Sequence, residues 1–130
     1  MTEEVTEAIE AIEEVRATFP DYQVEVRPSP DGGAVVIVHG LDPGPAFTGP
    51  TWLGFTIPFN YPGADVYTHF IQPDLVRRDG GPMLGEGMQA TTWEGQPAIQ
   101  LSRRSNRWHP ATDTAAKKAL KVLQWLRNRP

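Results

Sequence analysis

The sequence predicts an α+β domain from three patterns: apolar residues at three- and four-residue steps near the start, runs of period two through the middle, and a second helical stripe at the end. Val5, Ala8, Ile9, Ile12, Val15 and Phe19 form the first stripe; Thr2 can cap it and Pro20 stops it, so a helix is expected over residues 3 to 18. Tyr22, Val24 and Val26 then alternate with Gln23, Glu25 and Arg27 as a half-buried strand. The turn Pro28-Ser29-Pro30-Asp31-Gly32-Gly33 leads into a second strand, Ala34 to Val38. Past a Pro/Gly-rich stretch from Asp42 to Pro50, a third strand is expected from Trp52 to Ile57, with Leu53, Phe55 and Ile57 on one face. Val66 to Ile71 follows as the fourth and completes an antiparallel meander. The polar, Gly-rich stretch from Leu75 to Glu86 reads as a mobile surface loop, and Met88 to Thr92 with Ala98 to Leu101 as a short hairpin. Thr112 or Asp113 opens a last helix whose Ala116, Ala119, Leu120, Leu123 and Leu126 can cover one face of the sheet.

At 130 residues and 39% apolar content, with four Trp, five Phe and three Tyr, the chain can bury one core and reads as one domain over 1–130. No apolar run approaches the roughly 18 residues of a membrane span, and the acidic start lacks the basic-then-apolar pattern of an export signal. A cytoplasmic protein is expected. The absence of cysteine excludes disulfides, thiolate metal sites and any thioester intermediate.

The net charge of -4 argues against nonspecific nucleic-acid binding, but the charge is unevenly placed. Glu3, Glu4, Glu7, Glu10, Glu13 and Glu14 crowd the first helix, while Arg103, Arg104, Arg107, Lys117, Lys118, Lys121, Arg127 and Arg129 crowd the end. Solvated helix faces, signed as the macrodipoles favour, account for much of this. Docking is the alternative, and its candidate residues are Glu7, Glu10 and Glu14 at the front and Arg103, Arg104 and Arg107 at the back.

Three motifs, joined in order, resemble those of the ubiquitin-conjugating (UBC) fold. Tyr61-Pro62 stands between the third and fourth expected strands, where that family has a Tyr-Pro turn closing over the first helix. Gln72-Pro73-Asp74 stands where conjugating enzymes carry His-Pro-Asn, sharing only Pro73. Ile99-Gln100-Leu101 followed by Trp108-His109-Pro110-Ala111 is similar to Ile-Cys-Leu followed, eight residues after the cysteine, by Trp-Ser-Pro-Ala. Ser102-Arg103 and the Trp108-x-Pro110-x-x-Asp113 stretch look nearer still to bacterial UBC-like families encoded beside an activating enzyme.

The resemblance implies a UBC-like fold and places Gln100 at the cysteine position and Asp74 at the asparagine position. An amide has no counterpart of the thiolate that accepts an acyl group, and a carboxylate at 74 would repel a developing oxyanion. The 26 positions from Asp74 to Gln100 also exceed the family's usual gap, so the loop over the site is rebuilt. The implied function is an inactive UBC-like variant that binds a ubiquitin-like protein, an activating enzyme or an active conjugating partner. Two enzyme readings stay open: Ser102 accepting an acyl group with His109 as base, or a natural sequence with cysteine at position 98 or 100, where this chain has Ala98 and Gln100. His39, His69 and His109 match no metal-ligand spacing, Asp65, Asp74 and Glu86 stand as lone carboxylates, and the glycines from 80 to 87 carry no phosphate-loop Lys-Ser/Thr. No metal or other cofactor is implied.

Overall fold

The computed structural model describes residues 3–29, 32–82, 84–102 and 107–129. Thr2, Pro30, Asp31, Arg103 and Arg104, and the side chain of Val5, lie outside the described residues. Helix α1 (Glu3–Thr18) precedes β1 (Val24–Pro28), β2 (Ala34–Leu41), β3 (Phe47–Thr48), β4 (Thr51–Ile57), β5 (His69–Ile71), β6 (Val76–Arg77), β7 (Met88–Trp93) and β8 (Gln96–Leu101), and α2 (Ala115–Arg127) closes the chain. The architecture is α+β with a helix at each end. The main sheet is antiparallel throughout and runs β1-β2-β4-β5-β8-β7, so it has six strands where four were expected. The hairpin β7–β8 is the difference: β8 pairs with β5, setting Ile71 opposite Ile99 and His69 opposite Leu101.

Most other departures shift boundaries. β5 begins at His69 and not Val66, while β2 runs on past a bulge to Leu41. The stretch from Asp42 to Pro50 and the loop after Leu75 each contain a short strand, and these pair as a second small sheet, Phe47 opposite Arg77. Helix α2 starts at Ala115, one or two residues later than expected, because Thr114 and not Thr112 or Asp113 supplies the cap. The periodic stripes are trimmed as well. Ile9 and Leu120 are 42% and 45% exposed, each sitting about 100° around its helix from a buried alanine neighbour, Ala8 or Ala119.

Alternation along the strands sorts the residues onto two faces. Leu53, Phe55, Ile57, Ile71, Ile99 and Leu101 turn toward the helices and form the main core with Val15, Phe19, Ala119, Leu123 and Leu126. Each of the larger side chains among these, fully buried, stabilises the fold by about 1.5–3 kcal/mol. Among the described residues no helix covers the other face. There Val35, Ile37, Phe70, Trp93 and Ala98 form a second buried cluster, with Trp52 packed against it. The indole of Trp93 stacks on Phe70, ring centroids 4.7 Å apart, and lies over Gly54, where an added Cβ would come within 2.3 Å of the Trp93 ring. The two-residue turn Glu94-Gly95, both residues at positive φ, carries Trp93 back over the sheet. Gly54→Ala should therefore displace Trp93 and cost about 1–3 kcal/mol in urea unfolding, with Trp93 fluorescence shifting toward that of an exposed indole.

Candidate docking site

Tyr61 and Trp108, far apart in sequence, meet where α1 crosses the start of α2. Their rings pack edge to face at 6.3 Å. The indole Nε1–H of Trp108 donates to the carbonyl of Pro62 at 2.6 Å. The Tyr61 hydroxyl accepts the backbone N–H of Ala115 at 3.1 Å, satisfying one of the donors that every helix start leaves unpaired. Thr114 satisfies another, its Oγ1 accepting from the N–H of Lys117 while donating to Glu14 Oε1 on α1 at 2.8 Å. Upstream, His109 N–H donates to the Asp113 carboxylate, tightening the turn at Pro110. Burial, above all, and then the nearby Glu14 and Glu7 hold the Tyr61 phenol above its ordinary pKa, although the Ala115 hydrogen bond acts the other way, so Tyr61 stays neutral.

These contacts leave a groove of about 230 Å³ between α1 and the Pro110 turn. One wall carries Glu7, Glu10 and Glu14; the other is built from Tyr61, Pro62, Pro110 and Asp113. The structure thus gathers the three predicted acids of α1 against the Tyr-Pro and Trp-x-Pro motifs. The carboxylates face a helix N-terminus, whose partial positive charge favours them there. Glu14 is a mixed case, being both groove wall and clasp.

The residues at the expected catalytic positions are not gathered. Gln100 lies in mid-sheet, opposite Phe70 on one side and Gln89 on the other, with its Nε2 donating to Ser102 Oγ at 3.3 Å. Asp74 accepts from Gln72 Nε2 at 2.6 Å, so among the described residues Asp74 and Gln100 are not bonded to each other. Pro73 is exposed beyond the end of β5. Ser102 Oγ has Gln100 as its partner, and His109 is exposed on the far side of the segment 103–106 in sequence. Of the basic candidates, Arg107 is exposed and Arg103 and Arg104 lie outside the described residues.

Three features were missed in the sequence. Lys118, counted there as part of the basic face, is 4% exposed and pairs with Asp65, counted there as a lone carboxylate, at 3.0 Å. Its burial pulls its pKa down while Asp65 pushes it up. A cleft on the uncovered sheet face, between β1 and the β7–β8 turn, is lined by Trp52, Glu25, Arg27, His39, Glu94 and Gln96, and His39 Nε2 lies 3.1 Å from Glu25. Finally, His69 on β5 is fully buried against Phe55, and neither ring nitrogen has a hydrogen-bond partner. A lone histidine on an apolar strand carried no signal that it would be left unpaired.

Among the described residues no helix is long and apolar enough to cross a membrane. No protein-family model, curated protein or solved structure matches the chain.

His69 makes stability depend on pH. Burial, and secondarily the positive field of Lys118, lowers its pKa from 6.5 to about 3, against a smaller opposing pull from Asp65. The unfolded chain therefore binds a proton between these values that the folded chain refuses, and stability falls as pH drops from about 6.5 toward 3, by up to about 1.4 kcal/mol per pH unit. His69→Phe should flatten that part of the urea-midpoint profile between pH 6.5 and 4, whereas an unchanged slope would place the titration elsewhere.

Proposed function

We propose that this chain is a protein-binding domain of UBC-like design that has lost conjugating chemistry. It holds a ubiquitin-like protein, an activating enzyme or an active conjugating partner of a bacterial ubiquitin-like conjugation pathway. The observation that carries the reading is the acidic groove itself. The two motifs that resemble the family's, Tyr61-Pro62 and Trp108-x-Pro110, wall it together with the first helix, which by that resemblance is where a conjugating enzyme meets its activating enzyme.

The chemistry at the cysteine-equivalent position supports the same reading. An amide in mid-sheet, donating its N–H to the neighbouring hydroxyl, offers no thiolate to accept an acyl group. The enzyme alternative through Ser102 requires an oxyester that disappears in Ser102→Ala, and the alternative through a natural cysteine requires one at position 98 or 100.

The partner face is a basic one. Attraction between exposed charges chiefly raises the association rate and is screened beyond about 8 Å at physiological salt. Glu7→Gln with Glu10→Gln, sparing Glu14 because it clasps Thr114, should slow association with the activating enzyme or ubiquitin-like protein encoded beside the gene about tenfold at low salt, and leave the melting temperature nearly unchanged. Stopped-flow association at two ionic strengths measures both effects. Equal rates for parent and double variant would reduce the acidic groove to a solvated face.

A further inference from the structure

The two edges of the main sheet are built differently. At the β1 edge, Pro28 has no N–H to offer, Arg16 Nη1 donates to the carbonyl of Val24 at 3.1 Å, and Glu25 and Arg27 carry charge. These are the features that keep an edge strand from pairing with another chain. The β7 edge, Met88-Gln89-Ala90-Thr91-Thr92-Trp93, has neither charge nor proline, and Gln89, Ala90 and Thr92 are exposed.

Hydrogen-bond alternation shows which groups that edge presents. Ser102 N–H bonds to Gly87 C=O, so the inward-bonded positions of β7 are Gln89, Thr91 and Trp93, opposite Gln100, Ala98 and Gln96. Met88, Ala90 and Thr92 point their backbone groups away from the sheet. The N–H of Met88 is taken by Gly85 C=O, while among the described residues those of Ala90 and Thr92 have no partner.

We propose that β7 is an interface between two copies of this chain, joined antiparallel about a two-fold axis through Thr91 so that the two six-stranded sheets become one. In this register Ala90 of each copy faces Thr92 of the other, and each such pair can exchange both of its N–H···O=C bonds. Thr91 meets its own copy in a close, unbonded pair, a favourable cross-strand combination. The flanks agree in charge: Met88 faces Glu94 and Glu86 faces Gln96, so no carboxylate meets its copy. A two-fold axis through Ala90 would instead set Glu86 against Glu94. A second copy is therefore an occupant whose polarity and charge fit the strand. An interface this small associates weakly and should be sought at high concentration.

Sedimentation equilibrium up to about millimolar chain, with amide exchange on the same samples, tests the proposal. The parent should dimerise, with Ala90 and Thr92 amides gaining protection as concentration rises. Thr91→Lys, which sets like charges against each other at the axis, should weaken dimerisation by about tenfold or more, and mixing it with Thr91→Glu should restore association. A parent that stays monomeric with both amides exchanging freely, or a dimer that Thr91→Lys leaves intact, would overturn it.

Discussion

The start of α2 is the constraint on which the rest of the structure depends. One of its backbone donors, the Ala115 N–H, opens into the interior beside α1 and must be met there, because a buried N–H without a partner costs about 1–3 kcal/mol. Tyr61 meets that of Ala115 and Thr114 meets that of Lys117. Trp108, bonded to Pro62, holds the Tyr61 turn in place, and Glu14 ties the cap to α1. Two helices and two loops converge there, and the acidic groove is the outer surface of that convergence.

The sheet solves a second problem. Helices cover one face only, and the other is covered largely by the molecule's own aromatic rings, Trp93 folding back over Gly54 and Phe70 with Trp52 beside it. The pairing of β8 with β5 brings the hairpin into the main sheet and so carries Trp93 over its floor of Gly54 and Phe70. The same hairpin leaves β7 as an outer edge, and the residues that build the second core thus also decide which strand faces outward.

The elements legible in the sequence were those whose pattern is local. The helix at residues 3 to 18 and the strands at 34 to 38 and 52 to 57 follow from apolar spacing alone, and each is present. What pattern could not supply was pairing between distant segments. Met88 to Thr92 and Ala98 to Leu101 were visible as a hairpin, but nothing local says that β8 lies against β5, nor that Phe47 pairs with Arg77 across thirty positions. The site divides in the same way. Glu7, Glu10 and Glu14 were readable as one helix face and Tyr61, Pro62, Trp108 and Pro110 as motifs, whereas the Lys118–Asp65 pair and the unpartnered His69 depend on which side of α2 meets β5.

A double-mutant cycle on the Tyr61–Trp108 contact tests the central claim, that one hydrogen-bonded junction holds α1, α2 and the groove together. Stability by urea unfolding would be measured for Tyr61→Phe, Trp108→Phe and the pair. Tyr61→Phe should cost about 1–3 kcal/mol through the orphaned Ala115 N–H, and the double variant should lose less than the sum of the singles by about 0.5 kcal/mol or more. Additive losses, or a Tyr61→Phe variant as stable as the parent, would contradict it.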